Sequence, residues 1–295
     1  MWFGSRWPRV TQPATLAPGI RVFCSEVWET NSLLIETSSQ AIVVDPAFTD
    51  AEIAAIADAA AAREPEQTQI LITHGHYDHV CGLDALPAAT VWGDQRTAQA
   101  IARGEVRAQL VGGAKAWDAR WTCNPRIDRG LDAGQPMVLG DHELPTIDTT
   151  GHAQDGIAYL LAGQRVLDAG DYLSPISIPW ILGSLSSMID SYSRLLHAID
   201  EYRPRWVVPG PGPVLTSAKA REIAFADLEY LHALDGAACG AAQAGQPVAR
   251  AMRTAWKISP PRPASLDFAM CDVRSSNALF ALREHDPVNY AEDFR

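Results

Sequence analysis

The sequence predicts an α/β protein in which strands and helices form layers, followed by a helical C-terminal tail. Two observations carry this prediction. Short apolar runs and an alanine-rich helical segment alternate in the first third of the chain, and amphipathic helical patterns dominate the last third. The chain has 295 residues, of which 47% are hydrophobic, so it is long enough for one large domain or two small ones.

The first elements are an antiparallel meander, a helix and a buried strand. Three short apolar runs predict the meander, at residues 19–23, 32–36 and 40–45. Thr49 or Asp50 then caps a predicted helix at 51–62, where apolar residues recur at helical spacing. Residues 69–73 are typical of a buried strand. This strand–helix–strand order is what indicates a layered α/β protein.

The middle of the chain predicts shorter elements. Residues 87–91 are predicted as a short strand, and Asp94 to Thr97 open a helix that ends at Gly104. Residues 105–130 lack a clear period, so two interpretations stay open. They form either a loop or short helix near the mouth of a site, or a surface insertion whose tryptophans pack on the core. Further strands are predicted at residues 136–139, 143–148, 157–161 and 165–168.

Helical patterns fill the C-terminal third of the chain. Helices are predicted at residues 187–202 and 217–234, from about Val248 onward, and from about 272 to 284. Residues 172–183 precede them and are apolar, but Pro175 and Pro179 interrupt the run. Proline disfavours both a helix interior and a central strand, so this segment is predicted to be a loop.

The run Thr-His-Gly-His-Tyr-Asp-His, residues 73–79, is the most informative part of the sequence. Its polar side chains are His74, His76, Asp78 and His79, and they directly follow the predicted strand 69–73. Neutral imidazoles and carboxylates are ligands of Zn²⁺, Fe²⁺ and Mn²⁺. A turn that leaves a strand can direct residues 74 and 76 to one point and 78 and 79 to a second. The alternative is a solvated polar turn that happens to be rich in histidine.

This run resembles the H-x-H-x-D-H signature of the metallo-β-lactamase superfamily of metallohydrolases. The similarity continues at residues 148–152, 164–171 and 206–213, and order and spacing agree from about residue 20 to 235. The resemblance implies a four-layer αββα sandwich. We therefore expect one such domain at residues 1–240 and a helical extension at 241–295 packed on the same domain. Related metallohydrolases often end in a helix with a polar residue-x-x-Asn pattern, which Arg274 and Asn277 resemble weakly.

The resemblance also implies the metal ligands. The first site would consist of His74, His76 and His152, and the second of Asp78, His79 and a final histidine, with Asp171 bridging the two. Pro211 stands where the family has that histidine, and proline offers no side-chain donor atom. A second site would therefore be weaker and depend on added waters. His197 and His232 lie in helical patterns, so we do not expect either to replace the missing ligand.

A metal held by three imidazoles keeps an open position for water, which loses a proton near neutral pH. We therefore expect a hydrolase that cleaves a small-molecule ester, thioester, lactone or amide. The expected cofactor is one or two zinc ions, and iron or manganese is left open. Asp78 is the expected catalytic residue because it could steer the nucleophile and carry its proton. The alternatives are a mononuclear-iron oxidative enzyme and a non-catalytic metal-binding or sensor protein with a degraded second site.

Residues 172–183 leave directly from Asp171 and are a candidate substrate wall. Tyr172, Ile178 and Trp180 are the expected substrate-binding residues. A contact in a dimer is the competing interpretation, so a homo-oligomer is left open.

Charge and composition limit the partners. The formal net charge of −11 argues against nucleic-acid binding, which needs a basic surface. The sequence has no run of eighteen apolar residues and no signal peptide at residues 1–7, so no membrane association is expected. The five cysteines are widely spaced, as in a cytoplasmic protein with reduced thiols: Cys24, Cys81, Cys123, Cys239 and Cys271. The expected partner is a small-molecule substrate.

Overall fold

The structure of the protein is a computed structural model. It describes residues 13–61, 64, 67–117, 119–121, 124–139, 142–262 and 267–291. The expectations for residues 1–7, residue 62, Cys123 and the side chain of Cys271 fall outside this description. The chain divides into two compact units, Met1–Leu131 and Asp132–Arg295.

The first unit contains a seven-stranded mixed sheet in the order β1-β2-β3-β4-β5-β6-β7. Its strands are β1 (Ala14–Ala17), β2 (Ile20–Cys24), β3 (Asn31–Glu36), β4 (Ala41–Val44), β5 (Thr68–Leu71), β6 (Thr90–Asp94) and β7 (Arg129–Leu131). Strands β1 to β4 pair antiparallel and confirm the predicted meander, whereas β4 to β7 pair parallel. The carboxyl ends of β4 and β5 therefore lie side by side, with Val44 opposite Leu71.

The helices of the first unit are α1 (Asp50–Ala60), α2 (Tyr77–Val80), α3 (Gln95–Ala102) and α4 (Glu105–Trp117). Thr49, one of the two caps that the sequence predicts, is the N-cap of α1, and it forms a capping box with Glu52. The core forms where Ile53 and Ile56 of α1 join buried residues of the sheet, including Leu34 and Ile70. Burial of these side chains is the main force that holds α1 on the sheet.

The second unit contains a four-stranded sheet in the order β10-β11-β12-β13 and a separate hairpin of β8 and β9. The strands are β8 (Met137–Leu139), β9 (His142–Leu144), β10 (Thr146–Asp148), β11 (Ile157–Leu161), β12 (Val166–Asp168) and β13 (Trp206–Val208). Strands β12 and β13 pair parallel, so their carboxyl ends share one edge of the sheet. Asp171 follows β12 and Pro211 follows β13 at that edge.

The described part of the second unit also contains four helices: α5 (Leu185–Tyr202), α6 (Ser217–Gln243), α7 (Val248–Trp256) and α8 (Asp267–His285). They bury one core with the sheet, in which Leu167, Tyr192, Leu231, Ala278 and Leu282 all take part. Residues 172–183 form neither helix nor strand, as their two prolines predict. The predicted helical C-terminal region is thus present, and the predicted domain boundary at residue 240, which lies within α6, stays a prediction.

Several predicted boundaries are wrong. The strand predicted at 87–91 lies instead at Thr90–Asp94, and Asp94 caps α3 by accepting from the Arg96 amide. Residues 143–148 form two strands because Pro145 separates them. Residues 105–117 form the helix α4, which the sequence left unplaced.

Candidate metal centre

The turn after β5 brings the polar residues of the H-x-H-x-D-H run close to the end of β4. Asp45 directly follows β4 and Thr73 follows β5, and the two strands are parallel neighbours. The Asp45 carboxylate accepts from the Thr73 backbone N–H at 2.8 Å and from the Thr73 hydroxyl at 2.5 Å. In parallel sheets, ligand sites gather at the carboxyl ends of strands. Topology therefore explains why the motif lies here.

Two imidazole nitrogens of this turn point at each other. His74 Nε2 and His76 Nδ1 lie 2.9 Å apart, with ring centroids separated by 4.5 Å. Donor nitrogens at 2.0–2.1 Å from a tetrahedral zinc ion would lie roughly 3.3 Å apart. His74 is buried and His76 is half-buried. The two nitrogens therefore need only a small adjustment to share one metal ion.

Asp45 orients the rings of two histidines. His79 Nδ1 donates to the Asp45 carboxylate at 2.7 Å. His74 Nδ1 donates to the Thr73 hydroxyl oxygen at 3.1 Å, and that hydroxyl donates in turn to Asp45. A neutral imidazole that donates through Nδ1 keeps its lone pair on Nε2, which is the form that binds a metal. The acceptors of this turn thus prepare both rings as ligands.

Asp45 is a residue beside this turn that the sequence interpretation missed. Its carboxylate is 4% exposed, and its backbone has the left-handed φ of 47°. The sequence does show that Asp45 ends a predicted buried strand, and a carboxylate in such a position needs polar partners. Without the pairing of β4 and β5, that signal does not identify the partners.

Asp78 and His79 lie on the short helix α2. Asp78 is buried, and its carboxylate lies 3.7 Å from His79 Nε2. Cys81 follows in the core, where its thiol faces the Pro46 and Phe48 carbonyl oxygens at 3.8 Å. Burial raises the pKa of this thiol, with a further contribution from Asp78. Cys81 therefore has a packing role in this unit.

The second unit holds the other two predicted metal ligands beside each other. His152 Nε2 lies 3.3 Å from the Asp171 carboxylate. His152 Nδ1 donates to the Trp180 carbonyl oxygen at 2.8 Å, which again leaves Nε2 as the nitrogen with the lone pair. The backbone N–H of His152 donates to the Tyr172 hydroxyl at 3.1 Å, and that hydroxyl donates to Thr150 O at 2.8 Å. Hydrogen bonds thus fix both the ring and the backbone N–H of His152.

Two glycines are required by close packing around these ligands. Gly151 has a φ of 119°, and a Cβ there would lie 2.4 Å from the Met188 backbone nitrogen. Gly210 donates its N–H to Gly170 O at 2.6 Å, and a Cβ there would lie 2.1 Å from an Asp171 carboxylate oxygen. A side chain at position 151 would push the segment next to His152 away from the α5 backbone at Met188, and a side chain at position 210 would displace the Asp171 carboxylate.

The three predicted substrate-binding residues differ in exposure. Tyr172 is 2% exposed and Ile178 is 4% exposed, and both belong to the core of the second unit. Burial raises the pKa of the Tyr172 phenol far above its usual value, so its hydroxyl stays a donor. Trp180 is 37% exposed. A substrate contact therefore stays a prediction for all three, and Trp180 alone presents a large accessible surface.

A sequence model of the metallo-beta-lactamase superfamily matches residues 26–210. Two curated relatives are a hydroxyacylglutathione hydrolase of Methylobacterium sp. (strain 4-46) and an acyl-coenzyme A thioesterase of Gallus gallus. The first is 30% identical over 45% of this chain and 45% of its own length. The second is 28% identical over 50% of this chain and 57% of its own length. The chain thus spans about half the length of these curated relatives.

Solved structures share the fold at lower identity. A metallo-beta-lactamase family protein from Thermus thermophilus has a TM-score of 0.61 at 20% identity, over 92% of this chain and 95% of the other. A sec-alkylsulfatase from Pseudomonas sp. has a TM-score of 0.65 at 14% identity, over 96% of this chain and 52% of the other.

None of the helices in the described part of the chain has the length and apolarity that a membrane span needs. The mixed sheets, flanking helices and helical C-terminal region confirm the predicted fold class. Because the family model covers most of the chain, the protein belongs to the metallo-beta-lactamase superfamily.

Proposed function

We propose that the chain is a metal-dependent hydrolase in which His74, His76 and His152 hold one tightly bound zinc ion. The observation that carries the proposal is that hydrogen bonds orient two of these three rings. Acceptors occupy Nδ1 of His74 and of His152, so Nε2 of each ring is the nitrogen with the lone pair. The resemblance implies that His152 of the second unit completes the donor set that His74 and His76 form in the first unit.

The residues of this site fit a zinc ion by their chemistry. Three neutral imidazoles are a common catalytic zinc set that leaves one position open. The bound metal would supply a Lewis acid and a water that is acidic near neutral pH. Asp78 would hold the nucleophile through its carboxylate and transfer its proton to the leaving group. Asp171, next to His152, would anchor the same water.

Thioesters of small thiols are the proposed substrates. Both named curated relatives act, by their names, on an acyl group carried by a thiol, glutathione in one and coenzyme A in the other. The exposed part of Trp180 offers an apolar surface to such an acyl group. Esters, lactones and amides remain in the proposed class because the same nucleophile attacks each carbonyl.

Metal content and a substrate panel test the proposal. We expect zinc in the purified protein and hydrolysis of acylglutathione or acyl-coenzyme A, compared with a lactone and a β-lactam. His152→Ala should lose both the metal and nearly all activity. His197→Ala is the matched control, because the His197 side chain is exposed on α5, where its ring faces the Glu201 carboxylate.

Other outcomes would favour the two alternatives. Bound iron with oxygen consumption would favour an oxidative enzyme, and a protein without metal or activity would favour a sensor or scaffold. Full activity of His152→Ala would refute the proposed ligand role.

A further inference from the structure

The loop at residues 172–183 orients a proposed metal ligand although it has no helix or strand of its own. Its Trp180 carbonyl oxygen accepts the His152 Nδ1 proton at 2.8 Å. Pro175 and Pro179 provide no backbone N–H, so the loop has fewer hydrogen bonds with which to fix itself. Side chains of the C-terminal helices supply contacts instead.

Asn277 of α8 is the central contact. It is fully buried, and its Oδ1 accepts from the Ile181 backbone N–H at 2.8 Å. Its Nδ2 donates to Pro179 O at 2.7 Å and to the Tyr230 hydroxyl at 3.2 Å. Asn277 therefore holds the backbone immediately before and immediately after Trp180. A single planar amide sets the direction of the carbonyl between its two contacts.

We propose that Asn277 is a positioning residue for His152: it fixes the Trp180 carbonyl, which in turn fixes the ring and the tautomer of this metal ligand. The inference rests on the proposed function and names a residue of that site outside the family match at residues 26–210. Asn277 touches neither the proposed metal ligands nor their acceptor atom directly. It acts on the Trp180 carbonyl through the two peptide groups that flank Trp180.

Neighbouring contacts limit the size of the effect. Ser276, the adjacent residue of α8, donates to Ile181 O at 3.2 Å. The loop also pairs with the backbone of the ligand segment, since Leu182 N donates to His152 O at 3.0 Å and Gly183 N to Gly151 O at 2.9 Å. Loss of Asn277 would therefore rotate the Trp180 peptide and would leave the rest of the loop attached. We expect weaker metal binding, not its complete loss.

Two variants separate the contacts of Asn277. Asn277→Leu removes the donor and the acceptor at similar volume. Asn277→Asp keeps the acceptor for Ile181 N but cannot donate to Pro179 O when ionised. Zinc affinity should be measured by competition with a chromophoric chelator, and the absorption spectrum should be recorded with Co²⁺ in place of zinc. We expect zinc binding about 10-fold weaker in Asn277→Leu, at the low end for changes around a ligand, and an altered Co²⁺ spectrum in both variants.

Leu282→Ala is the matched control, because Leu282 is also fully buried on α8 and has no polar atom that could bond the loop. If both Asn277 variants bind zinc as Leu282→Ala does, the positioning role is refuted while zinc binding by the wild type keeps the proposed function. If the wild type binds no metal, the proposed function fails, and the positioning role fails with it. Should Asn277→Leu not fold, the affinity and spectrum of Asn277→Asp decide the question.

Discussion

A hydrogen-bond acceptor at one nitrogen of a neutral histidine ring leaves the other nitrogen with the lone pair that can bind a metal. In the first unit Asp45 supplies that acceptor, directly for His79 and through Thr73 for His74. In the second unit a backbone carbonyl, Trp180 O, has the same role for His152. A carboxylate makes the ring a stronger electron donor than a carbonyl does, so the acceptors affect ligand strength as well as orientation.

Pro211 replaces the histidine that the resemblance implies, and it stands next to a crowded backbone. Gly210 packs so closely on Asp171 that this segment cannot shift without moving the carboxylate. We predict about one tightly held zinc ion in the wild-type protein, because the second set lacks this imidazole. Pro211→His should raise the zinc content toward two, as measured by elemental analysis after dialysis.

Pro213→His is the control for Pro211→His, since it adds the same imidazole two residues further along at an exposed position. It should leave the zinc content unchanged. Two tightly held ions in the wild type, with another protein side chain in place of the histidine, would contradict the weakened second site and leave the hydrolase proposal intact.

The sequence could predict those site residues that lie together in one motif. His74, His76, Asp78 and His79 fall within six positions, so their shared purpose is visible without a structure. Asp45 could not be assigned, because its contact with His79 spans 34 positions and depends on the pairing of β4 and β5. The contact of Asn277 with Ile181 spans 96 positions and depends on helix packing.

At the scale of elements, α8 caps the start of α5. The first turn of α5 contains no acidic residue, although a helix N-terminus favours negative charge. Glu284 of α8 supplies that charge by accepting from the Leu185 N–H at 2.7 Å and the Ser186 N–H at 3.1 Å. Ser184, the N-cap, accepts from the Ser187 N–H. Glu284 and Ser184 thus accept from the first three N–H groups of α5, while the Ser184 N–H donates to Gly151 O at 3.2 Å.

Glu284→Gln should destabilise the protein in a pH-dependent way. Burial opposes the charge, but hydrogen bonds from Ser186 and from two backbone amides lower the pKa of Glu284 below its usual 4.5. The stabilisation is therefore fully present above about pH 4.5 and is lost as the pH falls through the lowered value. We expect a free energy of unfolding lower by roughly 0.5–1 kcal/mol at pH 7, measured by urea unfolding.

The difference between Glu284→Gln and wild type should shrink as the pH is lowered below 4.5. Glu222→Gln is the control, because Glu222 is exposed and its ion pair with Lys219 contributes little. A difference that is equal at pH 7 and at pH 3.5 would show that the charge of Glu284 is not what stabilises α5.

Element boundaries were predicted where local signals are strong and missed where packing decides. The capping box of Thr49 and Glu52 marks the start of α1 in the sequence. Helix α4 was left open between a loop or short helix and a surface insertion, because residues 105–130 lack a clear period and include Gly112 and Gly113, which disfavour a helix. In the fold, a Cβ at Gly113 would lie 2.6 Å from the Tyr77 ring, so glycine permits α4 to approach.

Helix α6 was predicted to end at 234 but continues to Gln243. Its last turns are rich in small residues, among which Ala238 and Ala241 are buried. Small side chains allow neighbouring helices to approach closely, and this benefit is not visible in a pattern of large apolar residues.

At the scale of the whole molecule, the C-terminal helices are part of the core of the second unit. Ala251 and Ala255 of α7, and Ala278 and Leu282 of α8, are buried in the same cluster as Leu167 of the sheet. Arg262 adds a buried ion pair with Asp227 of α6 at 2.6 Å and also donates to Ser177 O at 3.1 Å. The predicted extension at 241–295 is therefore expected to be necessary for the fold of this unit.

A chain that ends after α6, at Gln243, tests this dependence. It would lose the buried apolar side chains of α7 and α8, and it would leave Asp227 without Arg262, a change that alone costs about 3–5 kcal/mol for a buried pair. Because the net stability of a protein is only about 5–15 kcal/mol, we expect the second unit to lose its cooperative thermal transition and to bind a hydrophobic dye.

Arg262→Met in the full chain is the milder comparison, since it removes the charge and keeps α7 and α8. It should lower the melting temperature but retain one sharp transition. If the shortened chain instead melts sharply within a few degrees of the full protein, α7 and α8 are a separable extension, and the contacts of Asn277 and Glu284 are not needed to fold the second unit.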